Sequence, residues 1–143
     1  TLSVWMRTQR PASGPDYRAA AGWGSPSPGQ RFGISNNLDT VLFTGEGGAA
    51  DVPSTTRVTD DRWHHTLATY DGATVALWVD GARVASGLRS LATAGGVMTV
   101  GRTPLTHPGT DYFPGALDDV RVYDRALSDA EVQAVFRDGA WSP

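Results

Sequence analysis

Paired carboxylates could cleave a glycosidic bond without a cofactor, so their spacing decides whether this chemistry is available. Retaining glycosidases hold two carboxyl groups about 5 Å apart, and two carboxylates on one strand share a face only when they are two or four residues apart. The chain has two glutamates, Glu46 in a glycine-rich segment and Glu131 at the start of a helical pattern. The adjacent Asp118 and Asp119 would point to opposite faces of a regular strand. The sequence therefore argues against glycoside hydrolysis.

The histidines and the lack of cysteine restrict metal and nucleophile chemistry. The absence of cysteine from the sequence excludes disulfides, thiol nucleophiles, cysteine-ligated zinc and iron–sulfur clusters. His64 and His65 are neighbours on a predicted strand, so their side chains point to opposite faces and cannot readily share one ion. We expect His65 to be buried and hydrogen-bonded within a sheet, and His64 to be partly exposed.

Aromatic residues in loops are candidates for ligand contact, because an aromatic ring stacks on the apolar face of a sugar. Trp23 lies between two glycines and leads into a Ser- and Pro-rich loop, and Tyr112 lies in the long loop before the last predicted strand. For both residues, simple packing is an equal alternative. Three other tryptophans fall within predicted strands and are expected to be core residues: Trp5, Trp63 and Trp78.

Polar loop residues could orient the hydroxyl groups of such a ligand. Asn36 and Asn37 form a polar segment that could hydrogen-bond hydroxyls or could merely make a turn. Asp111 is the only acid in the long loop from Thr103 to Phe113. The candidate ligand-binding residues are therefore Trp23, Asn36, Asn37, Asp111 and Tyr112.

The sequence places these residues on a predominantly β scaffold. Apolar and polar residues alternate in short segments, with the period of a half-buried strand. Asp71-Gly72 and Asp80-Gly81 supply the positive φ that tight hairpin turns need. Ser128 and Glu131 have capping-box spacing, and Gly139 can end the short helix that follows. The predicted strands are 2–7, 17–23, 31–35, 40–44, 63–70, 74–79, 82–86, 97–102 and 116–123.

Composition limits the partners of this chain. Its net charge of -3 and sequence pI of about 5.4 argue against nucleic acid or an anionic membrane surface as the main partner. No apolar run approaches the roughly 18 residues of a membrane span, so we expect no membrane insertion. The length suits a single domain over residues 1–143, and 17 glycines and 9 prolines favour many turns.

Three stretches resemble LamG-like domains of the concanavalin A-like lectin and glucanase superfamily. They are Leu2–Arg7, Trp63–Gly72 with the following Ala76–Gly81, and Phe113–Val132. This superfamily includes laminin G modules, pentraxins and many bacterial carbohydrate-binding modules. The resemblance covers nearly the whole chain in the expected order. It implies an all-β fold, an antiparallel β-sandwich of the jelly-roll type with one short C-terminal helix.

The chain departs from the family pattern at its beginning and in one loop. The family usually has one or two strands before Leu2–Arg7, so we expect a domain that lacks its first strand or is cut from a larger chain. An unpaired sheet edge would then lie beside this segment. The resemblance suggests calcium as a cofactor, held by Asp111 and Asp118. For Asp118 and its neighbour, the alternative is a backbone cap or a salt bridge to Arg121 or Arg125.

The resemblance implies a non-catalytic, lectin-like carbohydrate-binding module of a secreted or cell-surface multidomain protein of a bacterium. Its partners would be a glycan or polysaccharide and neighbouring domains of the same chain. The alternative is a structural or assembly domain that docks on a neighbouring domain without a soluble ligand, and a foreign segment paired with the first strand would favour it. A glycoside hydrolase is the third reading, which the carboxylate spacing does not support.

Overall fold

The computed structural model describes residues 1–10, 17–93, 95–104 and 112–139. In these ranges the strands form two antiparallel sheets, and a helix follows the last strand. The elements are β1 (Leu2–Gln9), β2 (Tyr17–Gly24), β3 (Arg31–Asn37), β4 (Thr40–Thr44), β5 (Val52–Arg57), β6 (Asp60–Tyr70), β7 (Thr74–Val79), β8 (Ala82–Leu88), β9 (Thr99–Val100), β10 (Gly115–Val122) and α1 (Asp129–Gly139).

The two sheets pack face to face as a sandwich. The first sheet has the strand order β10-β1-β6-β7-β8, and the second sheet has the order β5-β4-β3-β2-β9. Strand alternation sends every second side chain into the space between them. The two antiparallel sheets confirm the predicted sandwich, and the apolar side chains between them form its core. Its largest members include Leu2, Val4, Met6, Phe32, Ile34, Val41, Phe43, Val75 and Leu77.

The hairpins from β6 to β8 form where the Asp-Gly pairs predict them. Gly72 and Gly81 have φ values of 100° and 77°, and Asp80 has a φ of 50°. These left-handed conformations reverse the chain, within two residues between the paired Val79 and Ala82 and within four between the paired Tyr70 and Val75. The Asp71 carboxylate also accepts the backbone N–H of Thr74 at 2.7 Å, which closes the first turn.

Helix α1 packs on the outer face of the first sheet. Its capping box forms as predicted, because the Ser128 N–H donates to Glu131 Oε2 at 2.8 Å and Glu131 N–H donates to Ser128 Oγ at 3.4 Å. The Phe136 ring stacks on Trp5 with centroids 5.8 Å apart. A second apolar cluster holds the helix to the sheet and contains Leu67, Ala76, Trp78, Leu127 and Val132. Within the described ranges no helix is long and apolar enough to cross a membrane.

The strand prediction was wrong in two places, because one strand was missed and another was predicted too long. The segment Val52–Arg57 reads as loop because it is rich in Ser, Thr and Pro, yet it forms edge strand β5 beside β4. Proline is tolerated there because an edge strand has one side without a strand partner. Conversely, the predicted strand 97–102 is reduced to Thr99–Val100, which pairs with Ala21 and Gly22 of β2.

The expected unpaired edge beside the first strand is not found. β1 lies between β6 and β10, with Leu2 opposite Ala68 on one side and Val122 on the other. The closing strand thus occupies the position where we expected an open edge. The edge strands of the first sheet are β10 and β8 instead.

One of the three tryptophans predicted in the core is exposed. Trp5 and Trp78 are buried, beneath α1 and on the outer face of the first sheet rather than between the sheets. Trp63 is 42% exposed. It pairs with Arg7, whose side chain is also exposed, near the β6 start. Its strand position alone therefore could not predict burial, because only part of this outer face is covered.

Candidate functional site

The outward face of the second sheet carries buried polar side chains around the start of β3. Phe32 and Ile34 belong to the core, so alternation directs Arg31 and Ser35 away from it. An outward sheet face normally carries solvated side chains. Here Arg31 is 2% exposed and Ser35 is 0% exposed. Thr44 of β4, which pairs with Gly33, is 1% exposed. Burial of polar groups away from the core marks this face as unusual.

Five residues form a connected group on this face, which we name the Arg31 cluster. Arg31 Nη1 donates to Glu46 Oε2 at 3.1 Å. The Thr44 side chain also interacts with the Tyr17 hydroxyl and with the Asp51 carboxylate. The Glu46 N–H in turn donates to Thr44 Oγ1 at 3.4 Å. Strand β2, strands β3 and β4, and the turn between β4 and β5 all contribute to the cluster.

Burial changes the titration of two members of the Arg31 cluster. Desolvation raises the pKa of the Tyr17 hydroxyl well above its usual value, so this group is a neutral hydrogen-bonding partner. Desolvation also raises the pKa of Asp51, although the N–H of Gly45 and the Thr44 hydroxyl partly offset the effect by bonding the charged form. Asp51 therefore loses its charge at a higher pH than a solvated aspartate.

One edge of the Arg31 guanidinium lacks hydrogen bonds within the described part of the chain. Its Nε and Nη2 atoms are buried and have no hydrogen-bond partner among these residues. These two atoms form the side-on fork that can bind two acceptor atoms in parallel. Arg7 uses the same pair of atoms on Asp61, with Nε 3.0 Å from Oδ1 and Nη2 3.2 Å from Oδ2. Buried polar groups in folded proteins are nearly always paired, so this edge calls for an acceptor.

Glycines leave the backbone bare beside Arg31. In the β2–β3 pair, Gly22 is opposite Gly33, and Gly24 is opposite Arg31. A Cβ on Gly33 would lie 3.6 Å from Arg31 Nε and 3.2 Å from Thr44 Cγ2. Gly24 has a φ of +112°, a conformation that L side chains rarely adopt. The two strands therefore approach closely at these glycines, where a Cβ on Gly22 or Gly24 would meet backbone atoms of β3.

The sequence-predicted ligand residues lie apart in the structure. Trp23 is half-buried, stacks on Phe32 with centroids 5.1 Å apart and packs against the core. Asn37 lies at the other end of the same strand pair, opposite Tyr17, and is exposed. Asn36 is 2% exposed and shares the inward side of β3 with Ile34. A rim site built from Trp23, Asn36 and Asn37 together is therefore not supported by their positions.

Tyr112 remains available to a ligand. It is 61% exposed and forms a bridge with Arg102, whose guanidinium lies 5.6 Å from the ring centroid. This pair follows β9, the strand that borders β2 in the second sheet. Asp111 lies outside the described residues. Among the predicted ligand residues, Tyr112 and Asn37 are thus the exposed ones that the structure describes.

The two histidines take the places expected of them. His65 is fully buried, its Nε2 lies 2.7 Å from Ser3 Oγ, and its ring lies 5.3 Å from Trp5. Burial lowers the pKa of His65 to about 4. His64 is partly exposed, with Nδ1 2.8 Å from Asp80 Oδ2 and Nε2 2.9 Å from Asp60 Oδ1. These two carboxylates raise the pKa of His64.

The acids of β10 are engaged within the fold. Asp118 Oδ1 accepts the N–H of Asp119 at 2.8 Å, and Arg121 Nε donates to Asp119 Oδ1 at 2.7 Å. These contacts are the backbone cap and the salt bridge to Arg121 that were named beside a metal role, and they do not test that role. Within the described ranges, no three His, Asp or Glu side chains form a group that could hold a metal ion. Since Asp111 lies outside these ranges, calcium binding stays a prediction.

Comparisons with known proteins agree with this fold. A family model, Laminin_G_3, described as the concanavalin A-like lectin/glucanases superfamily, matches residues 1–133. No curated protein matches the chain. A candidate carbohydrate-binding protein from Bacteroides ovatus ATCC 8483 is a similar solved structure, with 16% identity and a TM-score of 0.72. The alignment covers 92% of this chain and only 39% of that one.

Two further solved structures carry the same fold. The CBM40 module of Ruminococcus gnavus IT-sialidase, bound to alpha2,3 sialyllactose, has 18% identity and a TM-score of 0.68, and the alignment covers 94% of this chain and 80% of that one. The SAP-like pentraxin of Limulus polyphemus has 16% identity and a TM-score of 0.66, with 94% and 69% covered. Because the family match extends over most of its length, this chain belongs to the concanavalin A-like lectin/glucanases superfamily.

Proposed function

We propose that this chain is a non-catalytic carbohydrate-recognition module that binds a glycan on the outward face of the second sheet, at the Arg31 cluster. One observation carries the proposal: polar groups are buried on a sheet face directed away from the core, and some have no partner there. Sugar hydroxyls both donate and accept hydrogen bonds, so a glycan can satisfy such groups. The similar CBM40 structure, which holds sialyllactose, supports the proposal.

Recognition without catalysis agrees with the carboxylates present. Glu46 is tied to Arg31, and Glu131 is tied to Arg125 and to the cap of α1. Asp51, the carboxylate that interacts with Glu46, is itself engaged by the N–H of Gly45. In a secreted or surface multidomain protein, such a module would hold neighbouring domains at a glycan surface. Tyr112, at the border of the same sheet, offers a ring for additional stacking.

The experiment is a calorimetric titration of the chain with neutral and acidic oligosaccharides, with and without a chelator. We expect saturable binding to at least one glycan, weakened by Arg31→Gln. Arg62→Gln is the matched control, because Arg62 lies on the first sheet with a side chain 82% exposed. A chelator effect would support the predicted calcium. Absence of binding to every glycan would refute the proposed function.

A structural or assembly role has less support. The observation that would favour it is a foreign segment paired with β1, and strands of the same chain occupy both sides of β1. We therefore retain glycan recognition as the proposal.

A further inference from the structure

The free edge of Arg31 narrows the class of glycan, if the proposed function holds. Removing a guanidinium from water without pairing its N–H groups costs free energy, and this cost is recovered only when an acceptor fills the edge. Nη1 is already paired with Glu46, so the nitrogens that lack a hydrogen-bond partner among the described residues are Nε and Nη2. The unpaired atoms are adjacent and coplanar, which fixes the shape of the group that can occupy them.

A planar group with two oxygens fits this edge. Arg7 shows the arrangement within the same chain, because its Nε and Nη2 bind the two oxygens of the Asp61 carboxylate. Hydrogen bonds between a guanidinium and a carboxylate are about twice as strong as neutral ones. We propose that the Nε and Nη2 edge of Arg31 binds the carboxylate of an acidic sugar, a sialic or uronic acid residue.

The glycine positions support a ligand at this edge. A methyl group on Gly33 would lie 3.6 Å from Arg31 Nε, in contact with the free edge. The paired Gly22 and Gly24 likewise present backbone alone. Because Arg31 is only 2% exposed, a ligand reaches it after a local rearrangement, so we expect slow association. Once bound, the carboxylate is shielded from water, where charged hydrogen bonds are strongest.

The charges around the Arg31 edge also affect how strongly an anionic ligand can bind there. Among the described residues, the titratable groups that interact with Arg31 are Tyr17 from β2, and Glu46 and Asp51 from the turn between β4 and β5. Tyr17 stays neutral, whereas Glu46 and Asp51 oppose an incoming anion when both are charged. Asp51 is protonated more readily than a solvated aspartate because it is buried. Asp51→Asn removes this opposing charge and keeps an oxygen for the N–H of Gly45.

The test compares sialyllactose, an oligogalacturonate and lactose by calorimetry, each with the wild-type chain and three variants. A charged hydrogen bond contributes about 1.5–3 kcal/mol, so Arg31→Gln should weaken binding of the acidic glycan about 10- to 100-fold. Arg31→Lys keeps the charge but lacks the fork, and should lose about tenfold. Asp51→Asn should strengthen acidic binding and leave any neutral binding unchanged. The acidic ligand that binds identifies the type of sugar acid.

Several outcomes separate this inference from the proposed function. Equal losses for lactose and sialyllactose in the Arg31 variants would overturn the inference and leave glycan recognition standing. Binding of lactose alone would do the same, and no binding at all would remove both. Thermal unfolding shows whether each variant folds. If the Arg31 variants do not fold, Asp51→Asn decides: unchanged or weaker binding of the acidic glycan refutes a carboxylate at this edge.

Discussion

The buried imidazole of His65 makes a sharp prediction about stability and pH. Its ring contacts both Trp5 and Phe136 and is fully removed from solvent, and burial lowers its pKa to about 4. In the unfolded chain its pKa returns to an ordinary value of about 6.5. Between these values the unfolded state binds a proton and the folded state does not. The free energy of unfolding must therefore fall as the pH falls from about 6.5 to about 4.

The size of this loss follows from the two pKa values. Each pH unit between them corresponds to about 1.4 kcal/mol, so lowering the pH from 7 to 4.5 should remove roughly 2–3 kcal/mol of stability. That is a large part of the 5–15 kcal/mol that typically stabilises a folded domain. The single hydrogen bond to Ser3 does not prevent this loss, because Nδ1 is buried without a partner and has no acceptor for an added proton.

The assay is urea unfolding followed by tryptophan fluorescence at several pH values, for the wild type and for His65→Gln. Glutamine cannot titrate and can still hydrogen-bond Ser3. We expect His65→Gln to be less stable at pH 7, but the difference between the two proteins should shrink by roughly 2–3 kcal/mol by pH 4.5. Parallel stability curves over this range would refute the reasoning, since the variant has no imidazole to protonate.

Three further predictions concern stability. His64→Gln should have the opposite pH dependence: the raised pKa of His64 stabilises the fold below about pH 6.5 and the effect fades as the pH rises through that pKa, so unfolding curves should show a larger loss at pH 6 than at pH 9. Val132→Ala, at a fully buried position of α1, should lower the free energy of unfolding by about 2 kcal/mol in denaturant titrations. Gly22→Ala should cost about 1–3 kcal/mol in the same assay, because its Cβ would lie 2.7 Å from the carbonyl oxygen of Phe32; a stability equal to wild type would show that these strands can separate.

Local patterns predicted much of the fold. The alternation in β1, the Asp-Gly turns around β7 and the capping box of α1 each depend on residues close together in sequence, and all three form. Strand β5 was missed because its Ser, Thr and Pro residues resemble a loop, and only the neighbouring β4 makes it a strand. The exposure of Trp63 also depends on the position of a distant element, which no local pattern contains.

The candidate site was harder to predict for the same reason. Alternation with Phe32 and Ile34 does place Arg31 on the outward face of β3, but it assigns an outward residue to solvent. The burial of Arg31, and the lack of hydrogen-bond partners for its Nε and Nη2 among the described residues, arise from tertiary packing alone. Asp119 is a similar case. The prediction that Asp118 and Asp119 point to opposite faces assumed a regular strand, but Asp119 has a φ of 47° and β10 has a register shift opposite Ser3 and Trp5.

The position of β1 between β6 and β10 has a consequence for how the chain acquires its structure. The first sheet is complete only after segments separated by more than a hundred residues meet, since Leu2 is opposite Val122. Such non-local pairing slows folding, because the entropy of closing a long loop is lost before the contacts form. During synthesis on the ribosome, β1 must wait with one side open until β10 has emerged from the exit tunnel, whereas β6 already has β1 and β7 as neighbours. Nascent chains halted before Gly115 should therefore stay accessible to chaperones and proteases.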